Sequence, residues 1–181
     1  MIVSDCFGAV NNVGYTIDVN RYNLTDDTDV TSFEMCPTEK GIGCDIDTHA
    51  FVVRHEGFNL NFPDVFSDND YALVFLPKAI DDIDPIKLNT NPNIPAAGDT
   101  LEVSGWGLVL GSATVVPDVP HAADMTYITS SECSDIWGGP ITSQMLCADE
   151  AGRSACSGDS GMYLSHPPLD LQISFDSHTL G

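Results

Sequence analysis

The stretch Ala155-Cys156-Ser157-Gly158-Asp159-Ser160-Gly161 constrains this chain more than any other. Its glycines free the backbone to enter conformations that a Cβ forbids, so the run is a turn and not the interior of a helix or strand. Standing alone it reads as a Gly/Ser/Asp-rich surface turn. A serine in such a turn becomes a nucleophile only if a base takes its proton and donors stabilise the oxyanion on the attacked carbonyl. The order and content of the remaining chain decide between these readings.

Tyr15 to Tyr22 alternates apolar and polar residues, the period of a half-buried strand, and His49 to Arg54 reads as another. Between them, residues 23 to 48 are polar and turn-rich and are expected to be a surface insertion, with Cys36 and Cys44 closing a loop that a local disulfide could staple. Asn69-Asp70 reads as a turn into the apolar run Tyr71-Ala72-Leu73-Val74-Phe75-Leu76, expected as a fully buried strand. Ala122 to Thr129 reads as a further strand. Ser130-Ser131-Glu132-Cys133 holds serines able to cap a helix. His166 and His178 fall in expected loops.

Six Lys and Arg against 27 Asp and Glu give a net charge of −21, a field that repels nucleic-acid phosphates and anionic lipid surfaces. No apolar run approaches the roughly 20 residues of a membrane span. Neither nucleic acid nor membrane is therefore expected as a partner. Thr25-Asp26-Asp27-Thr28-Asp29 and Asp81-Asp82-Ile83-Asp84 lack the spacing of a calcium loop and read as solvated acidic loops; no metal or cofactor is expected. The six cysteines, Cys6, Cys36, Cys44, Cys133, Cys147 and Cys156, form no CxxC pair and favour disulfides over zinc, hence an oxidising, secretory compartment. Asn23-Leu24-Thr25 is a glycosylation sequon compatible with that route. Met-Ile-Val-Ser-Asp has neither the basic segment nor the long apolar stretch expected of a leader peptide.

The run Cys-x-Gly-Asp-Ser-Gly resembles the nucleophile loop of the trypsin/chymotrypsin family of serine endopeptidases. The resemblance extends in family order over roughly residues 2 to 163. Ile2-Val3-Ser4-Asp5-Cys6 falls where the family carries Thr-Ala-Ala-His-Cys, and His55-Glu56-Gly57-Phe58-Asn59 is similar to its His-Pro-x-Tyr-Asn turn, which makes His55 structural. Asn69-Asp70-Tyr71-Ala72-Leu73 resembles Asn-Asp-Ile-Ala-Leu, Val103-Ser104-Gly105-Trp106-Gly107 the strand opening the second barrel, and Met145-Leu146-Cys147-Ala148 the strand before the serine loop. The implied fold is all-β, two six-stranded antiparallel Greek-key barrels of the chymotrypsin type, incomplete at both ends. The protease domain would occupy residues 1–164, with a first barrel over about 1–90 and a second from about 99. A divergent tail, 165–181, would follow.

The resemblance implies the family's Ser-His-Asp mechanism. It makes Ser160 the nucleophile, Asp70 the carboxylate that orients the base, and the N–H groups of Gly158 and Ser160 the oxyanion hole. Asp159 would pair with the α-amino group released by zymogen cleavage. Ser154, two residues before the loop cysteine, would floor the specificity pocket and favour apolar or aromatic side chains over Lys or Arg. Cys133 and Cys147 should pair, whereas Cys6 and Cys156 lack their family partners. Asp5 stands where the histidine base belongs, and a carboxylate is a far poorer proton acceptor at neutral pH than imidazole. Loss of that histidine costs on the order of 10⁶ in turnover. The expectation is a monomeric, secreted serine-endopeptidase homologue whose partners are proteins or peptides, nearly inert as written. The alternative is a pseudoprotease that binds protein ligands without cleaving them.

Overall fold

The computed structural model describes residues 14–58, 69–109 and 116–175. Asp5, Cys6 and the strand expected around them lie outside the described residues, as do Asn59 and His178. The all-β class expected from the sequence is what the structure shows: ten strands and a single α-helix among the described residues.

In the first half, β1 (Thr16–Val19) pairs antiparallel with β2 (Thr31–Glu34), Thr16 opposite Glu34 and Val19 opposite Thr31. β3 (Phe51–Arg54) pairs with β4 (Ala72–Phe75) in a second two-stranded ribbon, and a bridge between Met35 and Ala50 joins the two ribbons. Their inward faces share one core: Phe33, Met35, Ala50, Val52 and Ala72 are buried, with Ile17, Val19, Val74 and Leu76 packed against them. Two expectations are corrected here. The segment 23–48 is no pure surface insertion, because it contains β2 and buries Phe33, Met35 and Cys36. β4 is not fully buried either: Leu73 and Phe75 are exposed at 47% and 44%. A two-stranded ribbon has only one core face, and successive side chains point to opposite faces. On the outer face Phe75 stacks on Phe51 with ring centroids 4.8 Å apart.

The second half is a six-stranded sheet. β5 (Lys87–Leu88), β6 (Thr100–Gly105), β7 (His121–Ile128), β8 (Cys147–Asp149), β9 (Tyr163–His166) and β10 (Leu171–Phe175) lie in the order β5-β10-β9-β6-β7-β8. β6 sits between β7 and β9, with Leu101 opposite Met125 and Val103 opposite both Ala123 and Leu164. These inward residues make the second core, and Leu101 is completely buried. His166, expected in a loop, ends β9 and is buried, with Nε2 3.4 Å from an Asp99 carboxylate oxygen. Its neighbours Leu164 and Ser165 pair with β6, which draws the strand end inward.

The helix α1 (Ser130–Trp137) follows β7, and its cap is Thr129, one residue before the serines expected to serve. The Thr129 side chain accepts from the Glu132 N–H while the Glu132 carboxylate accepts from the Thr129 N–H at 2.8 Å, a reciprocal capping box. Gly138 ends the helix in the left-handed conformation, φ 74°. Hydrogen bonds from the Thr129 hydroxyl and then its backbone N–H hold the Glu132 carboxyl below its ordinary pKa. A carboxyl depressed in the folded state stabilises above the unfolded pKa, and that contribution is lost as pH falls through the folded value. Thr129→Ala should therefore lower the thermal midpoint most near neutral pH, and the gap from the parent chain should narrow as pH drops below about 4. Thermal melts of both chains across pH check this. A constant gap would assign the loss to packing instead.

Candidate active site

The serine loop is built as a chain of short turns. The Asp159 N–H donates to the Cys156 carbonyl at 2.9 Å, and the Met162 N–H to the Asp159 carbonyl at 3.0 Å. Gly158 and Gly161 have φ of 100° and 90°, the left-handed region that disfavours any Cβ, so the two glycines bracketing Asp159-Ser160 are required by the backbone. The loop leaves Gly158 and Ser160 exposed while Asp159 turns inward and is half-buried.

What fixes this shape is the Asp159 carboxylate. One oxygen accepts from the Gly107 N–H at 2.8 Å and the other from the Cys156 N–H, also at 2.8 Å. The first bond ties the loop to the end of β6, 52 residues away, and the second closes the loop on itself. The Leu108 N–H adds a third tie, to the Ser157 carbonyl at 3.0 Å. Gly105 and Gly107 are both buried, and a Cβ on either would overlap the Asp159 carboxylate. A Cβ on Gly158 would in turn come within 3.2 Å of the Gly107 Cα. Gly105-Trp106-Gly107 is thus a cradle for Asp159. The sequence shows the motif, but nothing local to it reveals that its glycines serve a residue so far along the chain.

Asp70 enters from the other half of the fold. It follows Asn69, whose φ of 58° is a left-handed conformation that asparagine tolerates, and it is half-buried at the mouth of β4. Ser154 lies exposed just beyond the Glu150–Arg153 bridge. Three of the four described histidines have partners elsewhere. His55 Nδ1 accepts from the Gly57 N–H at 3.1 Å and its ring lies 4.7 Å from that of Tyr71; His49 faces Glu34, His166 faces Asp99, and His121 opens β7 at the surface.

Both expected disulfides are present. Cys36 and Cys44 are joined with Cα atoms 5.7 Å apart, and Cys133 on α1 is joined to Cys147 on β8 with Cα atoms 6.1 Å apart; Cys156 is a free thiol. An open groove of about 560 Å³ runs along the outer side of the β3–β4 ribbon past Arg54, His55, Tyr71 and Leu73, with an Arg54–Glu39 ion pair on its rim. It contains none of the serine-loop residues. Among the described residues no helix is long and apolar enough to cross a membrane, and no cluster of His, Cys, Asp or Glu could hold a metal ion.

Residues 28–162 match the Trypsin family profile. The chain is 36% identical over 115 residues to trypsin I-P1 of Gallus gallus, covering 61% of this chain and 44% of that protein. It is 37% identical over 100 residues to a snake venom serine protease homolog of Bothrops jararacussu, covering 52% of this chain and 38% of the other. The chain therefore spans less than half the length of these curated relatives. Among solved structures it superposes on mouse neuropsin, a serine protease, with a TM-score of 0.69 over 91% of this chain and 66% of that one, at 21% identity; this likeness establishes a chymotrypsin-type fold. Taken with the serine loop, the Asp159 cradle and the paired cysteines, these matches place the chain in the trypsin family of serine proteases.

Proposed function

We propose that this chain is a serine-endopeptidase homologue that keeps the serine loop and lacks the base, so that it is nearly inert toward peptides. The observation that carries the reading is the loop itself: Asp159 is held by the Gly107 and Cys156 N–H groups, and this leaves Ser160 on an exposed, shaped turn. On this reading Ser160 is the nucleophile position, Gly158 and Ser160 supply the oxyanion N–H groups, and Asp70 is the carboxylate meant to orient a base. The mechanism would be acyl transfer, in which the Ser160 hydroxyl adds to the scissile carbonyl, its proton passes to the base, and the leaving amine collects that proton. Asp5 at the base position would have to take it instead. Its basicity is too low by more than two pKa units in the reference scale, which starves the first step. Ser154 at the pocket floor carries no charge to select Lys or Arg. The protease domain is assigned to 1–164, and the chain to a secreted monomer acting on proteins or peptides, consistent with its disulfides.

A second reading keeps the same fold as a protein-binding pseudoprotease. One relative bearing the name serine protease homolog favours it. The two share the prediction of negligible turnover and differ in what repair of the base does. Asp5→His should raise hydrolysis of aromatic-terminated peptide anilides well above the parent chain, and Ser160→Ala in that background should abolish the gain. Turnover by the parent chain that is lost in Ser160→Ala would contradict the proposal. A repaired chain that stays inert while holding a protein ligand would shift the assignment to the binder.

A further inference from the structure

The loop joining β1 to β2 carries a feature unrelated to the serine site. Asn23-Leu24-Thr25 is the only place in the chain where an asparagine stands two residues before a serine or threonine. The Thr25 N–H and hydroxyl both point at the Asn23 side-chain oxygen, at 2.9 and 2.8 Å. A backbone N–H can only donate, so the amide atom facing it is Oδ1, and Nδ2 must face the other way. Nδ2 makes no hydrogen bond among the described residues and is not sealed from solvent.

The loop presents this amide on a fixed frame. Arg21 bridges Asp18 and Asp27, each at 2.7 Å, and the Leu24 N–H donates to the Asp118 carbonyl at 2.8 Å, which ties the loop to the second half of the fold. Ser32, and then Arg21, hold the Asp18 carboxyl below its ordinary pKa, so this frame is charged at neutral pH. Around it Tyr22 and Leu24 are exposed, at 67% and 43%.

We propose that Asn23 is the acceptor of an N-linked oligosaccharide. In the transfer, Asn23 Nδ2 forms a bond to the anomeric carbon of an oligosaccharide carried on a lipid pyrophosphate. The bond from that carbon to the pyrophosphate oxygen breaks, its electron pair leaves with the lipid pyrophosphate, and one amide proton passes to a base of the transferring enzyme. The folded loop accepts the product because the modified atom is the one that the loop does not use. This inference rests on the secretory assignment made above.

The test is expression of the full chain behind a leader peptide in a eukaryotic secretory host, with intact-mass analysis before and after treatment with peptide:N-glycosidase F. The expected result is a heterogeneous mass increase that the glycosidase removes, leaving aspartate at position 23. Asn23→Gln and Thr25→Ala should abolish it, and Thr25→Ser should retain it at lower occupancy. Secreted protein that carries both disulfides at unmodified mass overturns the site. Secreted protein at unmodified mass that also lacks the Cys36–Cys44 and Cys133–Cys147 bonds overturns the secretory assignment and the site with it.

Discussion

Gly107→Ala is expected to destabilise the fold by about 1–3 kcal/mol, the usual cost of forcing an extra methyl into a filled site. Gly107 is buried, and the added Cβ would overlap the Asp159 carboxylate that its own N–H binds. Its φ lies outside the left-handed region, so the cost is collision and not backbone strain. The carboxylate would have to swing away, which would leave the Gly107 and Cys156 N–H groups without their acceptor. Both bonds are part-buried, so water recovers much of the roughly 1–3 kcal/mol that a fully buried stranded donor costs, and the loss lies toward the upper end of the stated range. Asp159→Ala should reach a similar loss by the opposite route, removing the acceptor and keeping the space. The two changes act on one contact, so the double variant should fall well short of the sum. Urea unfolding of both singles and the double checks this, and full additivity would show that the carboxylate and the glycine do not act together.

The second large effect is at the Cys133–Cys147 disulfide. It closes a loop of 14 residues in sequence between the buried face of α1 and the edge strand β8, and a cross-link of that span is worth about 3 kcal/mol in the chain-entropy account. Cys133 is 2% exposed and Cys36 is 0% exposed, so alanine leaves room behind in the packing at either bond and loop closure decides the difference between them. The expected result is a drop in the urea midpoint of the double alanine variant that exceeds the drop from removing Cys36–Cys44. That second bond spans 8 residues and constrains less of the unfolded chain. Equal losses would mean that local packing outweighs loop closure at these sites.

The parts of the fold that were legible in sequence share a local cause. β1 alternates polar and apolar residues, β3 is a short β-branched and aromatic run, β6 carries the Gly-Trp-Gly signature at its end, and Asn69-Asp70 announces the left-handed step into β4. β2 was hidden because Phe33 is its one apolar residue, with Met35 just past its end, in a polar stretch, and its pairing with β1 is what makes it a strand. β9 and β10 escape family patterning altogether: β9 is covered by pairing with β6, whereas β10 is placed by pairing with β9 on one side and running parallel to β5 on the other. The same holds at the candidate site. Ser160, Gly158 and Asp159 stand in one short run, whereas the need for Gly105 and Gly107 arises from a contact with a carboxylate 52 residues beyond Gly107 in the chain. The cap of α1 falls on Thr129 and not on Ser130 because the reciprocal partner, Glu132, must lie three residues further on.

The central claim is that this chain has a shaped serine loop and no working base. Its most direct test is reaction of the purified, folded chain with a fluorophosphonate probe, read by intact mass beside Ser160→Ala. The probe needs an activated serine and no substrate recognition beyond the loop. The account predicts no labelling of either chain, and stoichiometric labelling of Asp5→His that disappears when Ser160→Ala is added. Labelling of the parent chain that is lost in Ser160→Ala would show that another group activates the serine, and would contradict the account.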